Sequence, residues 1–343
     1  MSAKHDQPDV IDQRPRTKSI LRDAYLCVIP LALSGCASDI HRSFLDPQGP
    51  IAAIQQTHFF EMVAILAIFV ALPVFILLPW FAWRYRFGAK SSRYAPNWAS
   101  STPLEVIAWS GPVVIVAVLG TLVWRSTHAL DPYRPILSPN SALRVQVIGY
   151  DWKWLFLYPD LGIASIGVLA IPTGQPVAMD ITSATAMQSL LIPSLGSQMY
   201  AMGGMVTQLH LLANKPGRFM GENTMYNGNG FHAQQFSALA MSAQEFQSWV
   251  KQRQSASQHL DAGTLSHLAQ PSTQAQLALA LGVSKDAEGG IYFSHVDPAV
   301  FPSIVKATMN GTAFTRLATG TTSTMRVAHG YLPSTPIRQD SNP

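Results

Sequence analysis

Residues 221–236 read GENTMYNGNGFHAQQF. The stretch is too polar and too rich in Gly and Asn for a strand or a helix, yet it lies between two strand-like runs. Ordered loops of this length usually carry function. This one offers a single histidine, His232, and no cysteine. Upstream, Met199, Met202 and Met205 recur every third residue, with His210 nearby. Soft thioethers can hold Cu(I), and methionines equally fill irregular cores; no second histidine stands at ligand spacing. Tyr150, Trp152, Trp154, Phe156 and Tyr158 occupy alternate positions, which on one strand would share a face. Packing is the ordinary use of such a stripe. The functional use is an electron-accepting surface or a subunit contact, with Trp152 and Trp154 as the contact aromatics. No Ser-His-Asp or Cys-His constellation, phosphate-binding glycine loop or HExxH motif is present, which argues against a free-standing hydrolase or transferase.

The cysteines are Cys27 and Cys36 alone. Downstream of Cys36 the chain can build neither a disulfide framework nor a thiolate metal site. Of the 343 residues, 48% are hydrophobic and only 12% charged, about half the usual charged share. That deficit points to a membrane or secreted protein. The net charge of +4 is not gathered into a basic stripe with interleaved aromatics, so nucleic-acid binding is unsupported.

Residues 1–35 read as an address. Arg14, Arg16, Lys18 and Arg22 precede a short apolar run, Ala24 to Leu33, and then Leu33-Ser34-Gly35-Cys36. The order of basic region, apolar region and small residues marks a cleaved signal. A cysteine directly after Leu-Ser-Gly resembles a bacterial lipoprotein signal, which would make Cys36 the lipid-bearing first residue. One lipid alone anchors only marginally.

Two uncharged runs supply stronger anchors. Met62–Trp83 and Val106–Trp124 are each long enough to cross a ~30 Å hydrocarbon core at ~1.5 Å per residue. They predict helices over about 58–84 and 104–126, within a hairpin spanning 36–128. Pro73 and Pro79 would kink the first. Arg84, Arg86, Lys90 and Arg93 lie between the runs, which places that loop in the cytoplasm and both outer ends in the periplasm. Glu105 stands at the cytoplasmic start of the second helix. Locally it fits helix capping, with Thr102 as the cap and Pro103 in the first turn. An acid at membrane depth also suggests a proton path.

After a Pro-rich linker the hydrophobic period falls to two, and several short runs broken by Gly, Pro and Asn predict a β-sandwich or Greek-key barrel over 129–242. From Ala243 the pattern returns to helix, opened by a Ser242–Glu245 capping box. A second helical stretch over Leu260–Leu281 is interrupted by Pro271, and a short extended piece and a helix follow to residue 310. The Thr-, Ser- and Pro-rich tail, 311–343, reads as disordered. The fold class is therefore a membrane helix hairpin, a periplasmic cupredoxin-sized β-domain and a C-terminal helical arm.

This architecture resembles subunit II of the haem–copper terminal oxidases. PNWASSTPLEVIAWSGP, WRSTHALDP, DWKWLFLYPDLGIA, LLIPSLGSQMYAMGGM and LHLLANKPGRFMG together resemble the cytochrome bo-type ubiquinol oxidase branch, over about residues 31–310. In the cytochrome c-oxidising branch the loop holds a dinuclear copper centre: a His before an Ile/Val-Pro strand, then Cys-x3-Cys-x3-His-x2-Met, with a Glu carbonyl between the cysteines. By that resemblance Gln188 stands at the first His, Asn223 and Asn227 at the cysteines, Met225 at the Glu, Phe231 at the second His and Gln234 at the Met. No ligand side chain remains, while Gly221 and Gly228 keep the turns.

The resemblance implies a chain with no haem or metal of its own and no electron delivery from cytochrome c. Its partners would be subunit I, carrying two haems and one copper, the smaller membrane subunits, membrane lipid and, through the complex, ubiquinol. The complex would pump protons and reduce oxygen to water. Glu105 matches a family carboxylate near the mouth of a proton pathway into subunit I, and His232 is a solvated loop residue. The competing reading is a stand-alone membrane-anchored lipoprotein that handles copper through Met199, Met202 and Met205.

Overall fold

The computed structural model describes residues 40–41, 43–87, 99–196 and 198–311. The expectations for the signal, Cys36, Lys90, Arg93 and the tail beyond 311 lie outside the described residues.

Helix α1 runs over Pro50–Arg84 and α2 over Thr102–Ala129. Both are long and apolar enough to cross a membrane, and the most apolar stretch of each is unburied within the chain. The first begins eight residues before the expected start. Its opening turns, IAAIQQTH, are polar enough to escape a search for uncharged apolar runs, but Pro50 suits a first helical turn. At 35 residues and ~1.5 Å per residue, α1 outruns a ~30 Å hydrocarbon core. The surplus docks on the β-domain. Ala52 is fully buried, the Gln48 N–H donates to the Ser194 carbonyl at 2.7 Å, and the Asn214 N–H donates to the Gln48 carbonyl at 2.9 Å. Gly196, at φ +95°, leaves room for this approach: a Cβ there would stand 2.9 Å from the Ala52 nitrogen.

Within α1 the turn Ala67–Ala71 is π-helical. Pro73 follows at once, with no N–H to return to the carbonyl four residues back, and the wider turn takes up the misfit. At the start of α2, Ser101 rather than Thr102 is the N-cap, in extended conformation and without a side-chain cap bond. Pro103 occupies the first turn as expected. Glu105 lies in that first turn, exposed.

The β-domain is two six-stranded sheets. One has the order β5 (Val168–Pro172), β11 (Gln235–Met241), β10 (Gly217–Asn223), β7 (Gln188–Leu191), β8 (Gln198–Ala201), with β1 (Ile40–His41) parallel to β10. The other runs β12 (Ile291–Ser294), β4 (Ile163–Ile166), β3 (Lys153–Tyr158), β2 (Leu143–Tyr150), β6 (Val177–Ser183), β9 (Thr207–Leu211). This second sheet is buried on both faces. Trp154, Phe156 and Tyr158 enter the core between the sheets. Against this first core α3 (Ala243–Gln254) packs Phe246, Trp249 and Val250. Leu155 and Leu157 enter a second core under three helices, α4 (Ala262–Leu268), α5 (Gln274–Leu281) and α6 (Val300–Met309). A strand covered on both faces reads as a continuous apolar run, which is how KWLFLY reads.

The Ser242–Glu245 capping box forms as expected. The C-terminal helices are found as expected, and the short extended piece between them, β12, joins the second sheet, pairing antiparallel with β4, Ile291 opposite Ile166 and Ser294 opposite Ile163.

Candidate functional site

The supposed aromatic stripe is divided by a two-residue turn. Tyr150 pairs with Lys153 across the β2–β3 hairpin, leaving Asp151 and Trp152 at its tip. Tyr150 therefore lies in the helix-covered core and Trp154 in the core between sheets. Trp154 is 1% exposed, so it packs inside the domain and offers no contact surface; the alternation that placed it beside Trp152 is broken by the turn. Trp152 remains half-buried at the rim. Its φ of +65° is a left-handed conformation that costs a bulky residue about 1–2 kcal/mol.

The loop repays that cost. The Trp152 indole N–H donates to the Asn227 carbonyl at 3.2 Å. The ring lies so close over Gly230 that a Cβ there would collide with it, while Gly228, at φ +112°, sits beside the same ring. A two-residue hairpin tip thus roofs the turn of the 221–236 loop. Gly221 is required for a different reason: the Phe236 ring occupies the space of its missing side chain.

Beneath this roof the side chains at Gln188, Asn223, Asn227 and Gln234 meet. Gln234, 1% exposed, is the hub. Its Oε1 accepts from Asn227 Nδ2 at 2.7 Å and Asn223 Nδ2 at 3.0 Å. Its Nε2 donates to Gln188 Oε1 at 2.5 Å and to the Tyr150 carbonyl at 3.2 Å. Gln188, fully buried, donates from Nε2 to the Tyr150 carbonyl at 3.0 Å and to Thr185 Oγ1 at 3.3 Å. Asn223 Oδ1 accepts from the Ser189 N–H at 2.9 Å and the Met225 N–H at 3.0 Å, and its Nδ2 also donates to the Met225 carbonyl at 2.8 Å. Every polar group of the Gln188, Asn223 and Gln234 side chains therefore has a partner, which fixes all three amide orientations at once. Among the four amides, only Asn227 Oδ1 is buried without a partner.

Met225 joins this network through its backbone. Phe231 packs against Tyr226 in a tilted arrangement, with ring centroids 5.7 Å apart and planes at 59°. His232 is exposed on a short 3-10 turn. The donor set does not fit a copper centre. Amide N–H groups fill the middle, and of the four amide oxygens only Asn227 Oδ1 is not committed to an N–H donor. Copper needs thiolate, thioether or imidazole ligands, and among the described residues no group of three or more His, Cys, Asp or Glu side chains could hold a metal.

The methionine triplet does not converge. Met199 is in the core between the sheets at 9% exposure, while Met205 is 54% exposed. Met199 lies in β8, and Met202 and Met205 lie in the connection from it to β9 in the other sheet, so the three-residue spacing spans a crossover. His210 Nδ1 is 3.0 Å from the Pro132 carbonyl, to which it donates.

Sequence reasoning passed over Lys153. It is 2% exposed, and its ammonium donates to the carbonyls of Gln270, Ser272 and Asp151 at 2.9–3.1 Å and lies 3.1 Å from Ser272 Oγ. Burial pulls its pKa down from 10.5 to about 8, against the opposing pull of Asp151. It pins the α4–α5 connection to the hairpin beside the amide network. A lone charge inside the apolar run WKWLFLY was the signal that could have found it.

A family model described as "Cytochrome C oxidase subunit II, periplasmic domain" matches residues 164–235. The chain is 40% identical over 283 residues to ubiquinol oxidase subunit 2 of Acetobacter aceti, covering 82% of this chain and 86% of that one. It is 38% identical over 275 residues to cytochrome bo(3) ubiquinol oxidase subunit 2 of Pseudomonas aeruginosa, covering 80% and 78%. Against quinol oxidase subunit 2 of Bacillus subtilis the identity is 34% over 239 residues, covering 69% and 73%. Two apolar helices followed by a β-domain like the cupredoxin-like domain of that family model, with C-terminal helices built on, is the architecture found.

Proposed function

The chain belongs to the ubiquinol oxidase subunit 2 family, and on that premise we propose that it is the subunit of a membrane ubiquinol oxidase that carries no electron-transfer centre of its own. Ubiquinol supplies the electrons, and oxygen is reduced to water on the haems and copper of subunit I. The supporting observation is the amide network. A dinuclear copper centre works because two bridging thiolates share electron density between the metals with little rearrangement. Asn223 and Asn227 stand four apart, where the resemblance places those thiolates, and their Nδ2 groups instead meet on Gln234 Oε1.

The network gives that region a structural task. Gln188 and Gln234 come from the first sheet and its loop, and both reach the Tyr150 carbonyl at the end of β2 in the second sheet. Hydrogen bonds thus tie the loop to both sheets where metal–ligand bonds would otherwise do so. Trp152 at the rim, and not Trp154, is the aromatic that fits a contact with subunit I.

Around this core stand finer assignments. The chain sits in the bacterial inner membrane through α1 and α2, with both outer ends in the periplasm, beside subunit I and the smaller membrane subunits. Cys36 carries lipid; the intact mass of the mature chain tests this, and a mass equal to the bare polypeptide rejects it. Glu105, exposed in the first turn of α2, serves the mouth of a proton pathway as the complex pumps protons.

Oxygen uptake by the purified complex tests the function. Ubiquinol should sustain turnover, and reduced cytochrome c should not. Turnover on cytochrome c would reject the proposal. The stand-alone copper-handling reading has no comparable support, because Met199 and Met205 do not share a surface.

A further inference from the structure

The turn that precedes α1 carries apolar side chains at its tip. The Asp46 N–H donates to the Ser43 carbonyl at 3.2 Å, and the Leu45 N–H donates to Ser43 Oγ at 3.0 Å. Phe44 and Leu45 are therefore the central residues of a hydrogen-bonded turn, positions that Gly, Pro, Asn, Asp and Ser usually fill. Leu45 is 61% exposed. The turn is nevertheless held in place. Gln56 Nε2 donates to the Leu45 carbonyl at 2.8 Å, and the Phe44 ring meets Phe59 edge-on with centroids 5.6 Å apart. Phe59 in turn meets Phe60 at 5.6 Å, and both of these rings are exposed on α1. A fixed patch of apolar side chains results, continuous with the apolar run of α1 that begins at Met62.

The height of the patch follows from the rise of the helix. Phe59 stands three residues before Met62, ~4.5 Å along the axis, and Gln56 stands ~9 Å before it. The polar interface adds about 5–8 Å on each face of a ~30 Å hydrocarbon core. A turn fixed at Gln56 and Phe59 therefore lies in the headgroup layer when α1 spans the bilayer. Polar groups at the same level bound its depth. His58 Nδ1 and Glu61 Oε2 are 3.2 Å apart, a pair that the headgroup layer accommodates and hydrocarbon does not. On α2 the uncharged run ends at Trp124, also exposed, so aromatic side chains mark this face of the membrane from both helices.

We infer that Phe44, Leu45, Phe59 and Phe60 form a lipid-facing anchor in the headgroup layer on the β-domain side of the bilayer. The occupant is phospholipid. Because Ala52 of the same helix is buried in the dock on the β-domain, the anchor sets the height of that domain above the membrane. The inference rests on α1 spanning the membrane.

The test places a photoreactive residue in the full-length chain of the purified complex, reconstituted in vesicles of phosphatidylethanolamine and phosphatidylglycerol. Leu45→p-benzoylphenylalanine, at an exposed turn tip, spares the fold. After irradiation, peptide mass spectrometry identifies what the probe has captured. Phospholipid adducts should exceed those of the same probe at Leu279, exposed on α5, by about tenfold or more. Phe59→Ala, which removes the ring that seats Phe44, should lower the yield at position 45 severalfold. The probe at Phe75, exposed in the apolar run of α1, checks the premise separately: capture of lipid or of another membrane subunit there puts α1 in the bilayer. With that capture seen, the inference is overturned if position 45 captures another subunit in place of lipid, or no more lipid than position 279. No capture at position 75 would overturn the spanning premise and the anchor with it.

Discussion

Asn227 Nδ2 donates to Gln234 Oε1 across 2.7 Å, and this bond brings the tip of the 221–236 loop back onto the strand that ends it. Asn223 reaches the same oxygen at 3.0 Å. A shared oxygen acceptor therefore performs the cross-linking that shared sulfur ligands perform in a metal loop, and the groups converging on it are N–H donors.

Gln234 should be the most costly member of this network to lose. Gln234→Leu leaves Asn223 Nδ2 short of an acceptor and Gln188 Oε1 short of a donor, both in buried surroundings, for a loss of about 2–4 kcal/mol. Asn227→Ala, at a half-buried position with one unpartnered oxygen already, should cost about 1 kcal/mol. Urea unfolding followed by tryptophan fluorescence ranks the two. Equal losses would mean that the hub is not at Gln234.

Gly230→Ala should destabilise by about 1–3 kcal/mol through overpacking, because its Cβ would enter the Trp152 ring. Gly230 has φ −93°, so the backbone itself accepts alanine. In a Trp152→Ala background the same change should cost almost nothing. A double-mutant cycle reads this coupling; additive losses would contradict the roofed loop.

Lys153 makes a pH prediction. Its folded pKa, about 8, lies below the ordinary 10.5, so between those values the unfolded chain binds more protons and stability rises with pH. The full rise would be about 3 kcal/mol. Above pH ~10 buried Tyr150 and Tyr158, whose pKa values burial pushes up, oppose it, since the unfolded chain then loses protons that the folded chain keeps. Urea midpoints at pH 7.5 and 9.5 should increase in the parent and stay level in Lys153→Met. A level parent would refute the buried-amine account.

Glu105→Gln should slow ubiquinol-driven turnover severalfold at unchanged subunit and haem content, because it removes the titrating group and keeps the shape. Turnover equal to the parent's would leave Glu105 with only a favourable interaction with the α2 dipole.

What was legible in the chain follows from the range of the interactions involved. The spanning helices, the Ser242 capping box and the short-strand pattern depend on neighbours within a few residues. The meeting of Gln188, Asn223, Asn227 and Gln234 was anticipated as positions on a resembling loop, although their hydrogen bonding was not. The rest depended on distant partners. The Asp151–Trp152 turn breaks an alternation that looks unbroken in one dimension. β12 completes a sheet whose nearest strand, β4, lies more than a hundred residues earlier. Lys153 is satisfied by carbonyls at Gln270 and Ser272, and the start of α1 is set by its dock against Ser194 and Gly196.

The central claim, that this subunit holds no electron-transfer metal, is tested most directly by counting copper and haem in the purified complex. The account predicts one copper for every two haems, unchanged when Asn223 or Asn227 is replaced by alanine. Three coppers for two haems, with two lost on removing this subunit, would contradict it.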